Sequence, residues 1–258
     1  GMARAVTMRP PDWRLPIGEV AAAIGPRTRA IVLNNPNNPT GRLFSRAELA
    51  ELAELCVAHD LVAICDEVWE HVVFDGARHV PMIALPGMAE RAVKIGSAGK
   101  IFGLTGWKVG FVVAAPRLLQ PITRAHQFLT FTTPPCLQIA VARGLGLDDD
   151  FFARSRTELE RSRNYLSALL TAAGFAVLPS EGTYFLTVDL AASGVRGDDA
   201  ALARRLVHEA GVASIPLSPF YMSDAAPRGL LRLCFAKPDD ILAEAAGRLG
   251  QWLAGRSG

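Results

Sequence analysis

Four short apolar runs, separated by helical patterns and turn residues, restrict the fold more than any other feature of the chain. They are AIVLN (30–34), LVAIC (61–65), RAVKIGS (91–97) and KVGFVVAA (108–115). Between the first two, Ser45 opens a helical pattern and Glu48 completes a capping box. Leu49, Leu52 and Cys56 give that helix an apolar stripe. LVAIC is continuously apolar, as a strand covered on both faces should be. Strands alternating with helices at this spacing predict an α/β domain with a mainly parallel sheet.

The C-terminal part reads differently. A long helical pattern runs from about Asp150 to Ala173. FAVLP, TYFLTVDL, a helix near 198–210, VASIPL, LLRLCFA and a last helix from Pro238 follow. Short strands mixed with helices predict a smaller α+β domain. The boundary is placed near residue 160, giving domains 1–160 and 161–258.

Composition narrows the function. Half of the 258 residues are hydrophobic, enough for a sizeable core. Lys plus Arg (27) nearly balances Asp plus Glu (25), which gives no case for nucleic acid. The acidic run Asp148-Asp149-Asp150 reads as a solvated helix start. No run approaches a membrane span, and no leader is visible. The four cysteines, Cys56, Cys65, Cys136 and Cys234, lie in apolar runs without C-x-x-C spacing. They read as reduced, buried thiols of a cytoplasmic protein. His59, His71, His79, His126 and His208 lack metal-ligand spacing and read as surface or capping groups, so no metal site is expected.

In open parallel sheets, ligands bind at the carboxyl ends of the strands. The first run ends at Asn34, in NNPNNPTG; the second at Asp66, in ICDEVW; the third at Ser97, in IGSAGKIFGLTGWKVG. Asn38, Asp66 and Lys100 are therefore expected to meet in one crevice. Each alone has a plainer reading. An aspartate at a strand end serves as a cap or turn former. A lysine near glycines suggests phosphate, but the Walker pattern fails at Lys94 and Ile101.

The ordered set NNPNNPTG, CDEVWEHVVFDG, IGSAGKIFGLTGWKVG and LLRLCFAKPD resembles the fold-type I, pyridoxal-phosphate-dependent aminotransferases of class I/II. It is most similar to the branch containing kynurenine aminotransferases and cysteine-conjugate β-lyases. The resemblance implies a PLP-transferase-like large domain and a small α+β domain in a homodimer. It makes Lys100 the lysine that carries pyridoxal phosphate. It pairs Asp66 with the pyridine nitrogen and Asn38 with the phenolic oxygen. Ser97 and Lys108 would hold the phosphate, and Arg232 would clamp the α-carboxylate of an amino acid or 2-oxo acid substrate. The chemistry needs these types. A buried carboxylate keeps a ring nitrogen protonated, a lysine amine is the nucleophile and proton carrier, and a guanidinium fork matches a carboxylate. Pro36 and Pro39 would stiffen the turn that aims Asn38.

Three positions depart from the family. Trp69 stands where a tyrosine usually bonds the phenolic oxygen, and indole is bulkier and donates only. Gly99 replaces a second phosphate-binding serine of some members, and Lys108 replaces the arginine of some members with a point charge; the kynurenine-type branch shows both features. The segment that precedes this region in the family, with its phosphate loop and stacking aromatic, has no counterpart before Asn34, so an N-terminally incomplete chain with weak or no activity is expected. Tyr184 and Phe185 line the substrate pocket or simply pack the core. A C–S β-lyase uses the same lysine, and a non-catalytic remnant of the fold would carry the same motifs; both stay open. The donor reads as apolar, aromatic or sulfur-containing, because no second arginine can be placed as a side-chain carboxylate reader.

Overall fold

The computed structural model of the chain describes residues 1–222 and 226–255. Helix α1 covers Ile17–Ala23 and strand β1 covers Ala30–Asn34. Ser45 caps α2 (Arg46–Ala58): its Oγ accepts from the Glu48 N–H at 3.2 Å, and its own N–H donates to Glu48 Oε2 at 2.8 Å. Leu49, Leu52, Ala53 and Cys56 form the buried face of α2. Strand β2 (Val62–Asp66), strand β3 (Ala92–Ser97), the short helix α3 (Ala98–Ile101) and strand β4 (Gly110–Ala114) follow. Helices α4 (Pro116–Leu129) and α5 (Pro135–Leu145) each open on proline, where a missing N–H costs nothing. Helix α6 runs over Asp149–Ala172, and Asp148 Oδ1 accepts from the Phe151 N–H, so the acidic run does serve as a helix start.

These four strands form one sheet in the order β1-β2-β3-β4. The pairs β1–β2 and β2–β3 are parallel, and β4 runs antiparallel to β3. The sheet is thus mainly parallel. Gly96 of β3 pairs with Phe111 of β4, and a Cβ at Gly96 would come within 2.2 Å of the Phe111 ring. Cover on both faces does not extend to β1, where Val32 is 75% exposed. A continuous apolar run records that both faces are apolar, not that something lies over each.

The second sheet contains β5 (Ala176–Leu178), β6 (Phe185–Asp189), β7 (Ile215–Pro216) and β8 (Leu230–Cys234), in the order β5-β6-β8-β7 with every pair antiparallel. Helices α7 (Asp199–Ala210) and α8 (Asp239–Ala254) accompany it. Trp13 packs in the same core with Leu217 and Leu230, and its indole N–H donates to the Tyr221 hydroxyl at 3.1 Å.

By packing, the chain divides into two units. One comprises Leu15–Pro36 and Leu43–Arg154 and holds the first sheet. The other comprises Gly1–Arg14, Asn37–Arg42 and Ser155–Gly258 and holds the second. All four cysteines are free. Cys56 and Cys65 are buried as expected, but Cys136 and Cys234 are exposed. Leu233 and Phe235, on either side of Cys234, face inward while it does not, whereas Cys136 lies on α5, where only Val141 is buried. Among the described residues no helix is long and apolar enough to cross a membrane.

Candidate active site

Parallel register brings the three strand ends onto one edge of the first sheet. Asn34 pairs with Asp66 and Asp66 with Ile95, two residues before Ser97. The Asn34 Nδ2 donates to the Asp66 carbonyl at 2.9 Å. The Asp66 side chain is half-buried, and its Oδ1 is enclosed without a hydrogen-bond partner. Burial pushes this carboxyl above its ordinary value, opposed by a hydrogen bond from the Val68 backbone and by the charge of Lys100. Lys100 sits on α3 with Nζ 5.0 Å from the centroid of the buried Trp69 ring. The structure thus brings Asp66, Trp69 and Lys100 together.

Ser97 is half-buried at the strand end, and its side chain makes no capping bond. Gly99 explains its own departure: a Cβ there would lie 3.0 Å from Thr105 Cα and 3.4 Å from Ser97 Oγ, so a serine would crowd the loop. Lys108 is exposed after the turn Thr105–Trp107 and holds a left-handed backbone, φ 56°.

Asn38 lies in the other unit, together with Arg232. The asparagines of NNPNNPTG divide their work. Asn35 is buried, and its Oδ1 accepts from the Phe44 N–H at 2.9 Å. Asn37 is buried, and its Oδ1 accepts from the Thr40 hydroxyl at 2.8 Å. Its backbone joins those of Gly41 and Arg42 in bonds of 2.8 Å. The peptides before Pro36 and Pro39 are both cis. Asn38 points outward, and its Oδ1 accepts from Arg232 Nη1 at 2.5 Å. The Arg232 guanidinium lies over the Phe185 ring at 4.5 Å and 5.7 Å from the Phe220 centroid. Phe185 is itself 2% exposed, so it forms the floor beneath Arg232. Phe220 was not singled out by the sequence, because nothing in VASIPLSPF separates it from a packing aromatic.

The reading of every histidine as a surface or capping group fails at His79. His59 closes α2, whereas the His79 side chain is 6% exposed, with Nε2 3.8 Å from Glu67 Oε2. Glu67 is buried, and its Oε1 accepts from the Met82 N–H at 2.9 Å. Lys94 Nζ bonds Glu70 and lies 4.0 Å from Glu67 Oε2. Burial pushes the Glu67 carboxyl up to about 7 and His79 down to about 4. The only sequence signal was two glutamates three apart after a strand end; the loop that returns His79 to them leaves no pattern.

A family model described as aminotransferase class I and II matches residues 2–249. The chain belongs to that family. It is 38% identical to the methionine aminotransferase of Escherichia coli over 97% of this chain and 64% of the relative. It is 34% identical to kynurenine–oxoglutarate transaminase 1 of Homo sapiens over 93% of this chain and 62% of the relative. The solved N-succinyldiaminopimelate aminotransferase of Mycobacterium tuberculosis superposes with a TM-score of 0.89 at 42% identity, covering 93% of this chain and 62% of that one. The class I and II member described here therefore spans less than two thirds of the length of these relatives. The family and its homologues are pyridoxal-phosphate-dependent.

Proposed function

We propose that the chain takes part in pyridoxal-phosphate-dependent transamination between an amino acid and a 2-oxo acid. The enclosed Asp66 Oδ1, a buried acceptor without a partner and close enough to Lys100 to feel its charge, carries this reading. Such an atom is costly to bury unless a donor reaches it. A protonated pyridine nitrogen is a fitting donor, and it would reverse the burial cost by favouring the ionised carboxylate.

When bound, the cofactor supplies an electron sink for the charge left at the substrate α-carbon. Lys100 would carry it, and the freed amine would move the proton at that carbon. Trp69 would keep the Lys100 amine against an apolar ring face, as it does here. Ser97 and Lys108 would hold the phosphate. Arg232 would bind the α-carboxylate, with Asn38 fixing one of its nitrogens and Phe185 its plane. The rings of Phe185 and Phe220 beside Arg232 support an apolar, aromatic or sulfur-containing donor.

The division into domains 1–160 and 161–258, a cytoplasmic location and a homodimer belong to the same proposal. Exposed Phe128 (86%), Leu129 (82%) and Phe131 (76%) support the homodimer. Weak or absent turnover by this 258-residue polypeptide by itself is also part of the proposal, supported by its span of 62–64% of the relatives' length. Titration with pyridoxal phosphate, followed by its absorbance, tests the reading. Binding lost in both Asp66→Ala and Lys100→Ala supports it, and binding unchanged in both sinks it. Product analysis separates transamination from β-elimination, which releases pyruvate and a thiol from a cysteine conjugate.

A further inference from the structure

Glu67, Glu70 and His79 each offer one ligand atom, all within 4.8 Å of one another. We propose that these three side chains form a binding site for a divalent transition-metal cation of the zinc class. The decisive feature is a buried carboxylate oxygen and a buried ring nitrogen that face each other without a hydrogen bond. Glu67 is 2% exposed and the His79 side chain 6%, yet Glu67 Oε2 and His79 Nε2 both lack a hydrogen-bond partner. The His79 ring hydrogen-bonds the Asn35 backbone. Since Nε2 is the partnerless nitrogen, Nδ1 is the one that donates to that carbonyl. The neutral ring then turns the lone pair of Nε2 toward Glu67 Oε2, 3.8 Å away. Two acceptors opposed in a site closed to solvent are unfavourable, and a cation between them satisfies both.

The supporting contacts are those a metal site requires. A metal-binding histidine is held in one tautomer by a hydrogen bond from its other nitrogen, often to a backbone carbonyl. The Glu67 carboxylate is fixed by the Met82 N–H on its other oxygen. An imidazole nitrogen with carboxylate oxygens suits zinc, cobalt or manganese.

Lys94 is the resident competitor. Its ammonium bonds Glu70 Oε2 and lies 4.0 Å from Glu67 Oε2. A metal that takes the Glu70 oxygen must displace this ammonium, which belongs to a lysine side chain that is 16% exposed. Metal affinity is therefore set against this ion pair, and removing the ammonium leaves both carboxylates to the metal.

The test is titration of the cofactor-free protein with cobalt(II) chloride, followed by visible d–d absorption and calorimetry. One equivalent should bind. Loss of even a supporting hydrogen bond costs a metal site about tenfold or more, so His79→Ala should weaken binding by at least about that factor. Lys94→Met should strengthen it by a similar factor. If His79→Ala does not fold by circular dichroism, Lys94→Met still decides. No saturable cobalt binding in either the native protein or Lys94→Met would overturn the proposal, leaving a bridging water as the content of the gap. Binding that His79→Ala leaves unchanged would overturn it as well, by placing the metal on exposed histidines.

Discussion

Arg232 Nη1 donates to Asn38 Oδ1 at 2.5 Å, across 194 residues of sequence. The bond gives the stiff turn at NNPNNPTG a specific task. Asn35 and Asn37 spend their side chains inside the turn, and Asn38 is left to reach outward. A guanidinium held by one nitrogen and lying over the Phe185 ring has less rotamer freedom to lose when a carboxylate arrives. In a catalytically competent form of the enzyme, Arg232→Lys should therefore raise KM for the amino acid by about tenfold or more while leaving cofactor absorbance intact, because a lysine keeps the charge but not the fork. Steady-state kinetics split into KM and kcat check this. Unchanged KM means that another group binds the carboxylate.

Lys100 and Trp69 give a second prediction. Borohydride reduction should fix the cofactor to the native protein and fail to do so in Lys100→Ala. Trp69→Phe preserves a ring face under the ammonium and should retain cofactor binding, whereas Trp69→Ala should lose part of it. If Trp69→Phe behaves like Trp69→Ala, the indole N–H matters and not the ring face. Spectra of the three variants at equal cofactor concentration distinguish these outcomes.

Much of this arrangement was legible in the residues themselves. Asp66 and Ser97 end apolar runs, and parallel register forces such ends onto one edge. The Ser45–Glu48 box is local, so its spacing suffices. What escaped the sequence depends on contacts between distant segments or on the face of a single position. The Glu67–His79 approach requires a loop to fold back, and no periodicity records that. Cys234 sits in an apolar run yet faces outward, since side chains alternate along a strand.

The thiols convert that last point into a measurement. Burial pushes the Cys56 thiol up to about 11 and Cys65 up as well, so neither offers a thiolate near neutral pH. Cys136 and Cys234 are exposed. An aromatic disulfide reagent should label two thiols quickly in the native protein and all four after denaturation. Rapid labelling of Cys56 or Cys65, located by peptide mass, would contradict the packing around α2 and β2.

Gly41 closes the asparagine turn under steric constraint. Its φ is +73°, and a Cβ there would meet Ser180 Oγ at 2.5 Å and the Gly182 carbonyl at 3.3 Å. The Gly41 carbonyl also accepts from the N–H groups of Glu181 and Gly182 at 2.8 and 3.0 Å. Gly41→Ala should cost about 1–3 kcal/mol from left-handed strain and overpacking. Denaturant unfolding reads this directly. A loss well below that range would show that Ser180 moves aside.

Asp199 and Ser218 anchor the segment that carries Phe220. Asp199 is fully buried in the first turn of α7, and its Oδ1 and Oδ2 accept from the Ser218 hydroxyl at 2.6 Å and the Ser218 N–H at 2.8 Å. A carboxylate here also faces the positive end of the helix. Asp199→Ala strands a backbone donor away from water and should destabilise by about 2–4 kcal/mol, combining the lost charge-assisted bonds with that orphaned group. Asp199→Asn should cost less. Its oxygen can keep the Ser218 N–H, and the serine hydroxyl can rotate to accept from the new amide. Ser218→Ala removes one bond but leaves its N–H paired, so about 1 kcal/mol is expected. A double-mutant cycle between Asp199→Ala and Ser218→Ala should then show coupling of at least about 0.5 kcal/mol, as groups in one hydrogen-bond network do. Additive losses would mean that the two residues stabilise α7 independently and that this pair does not hold the Phe220 segment in place.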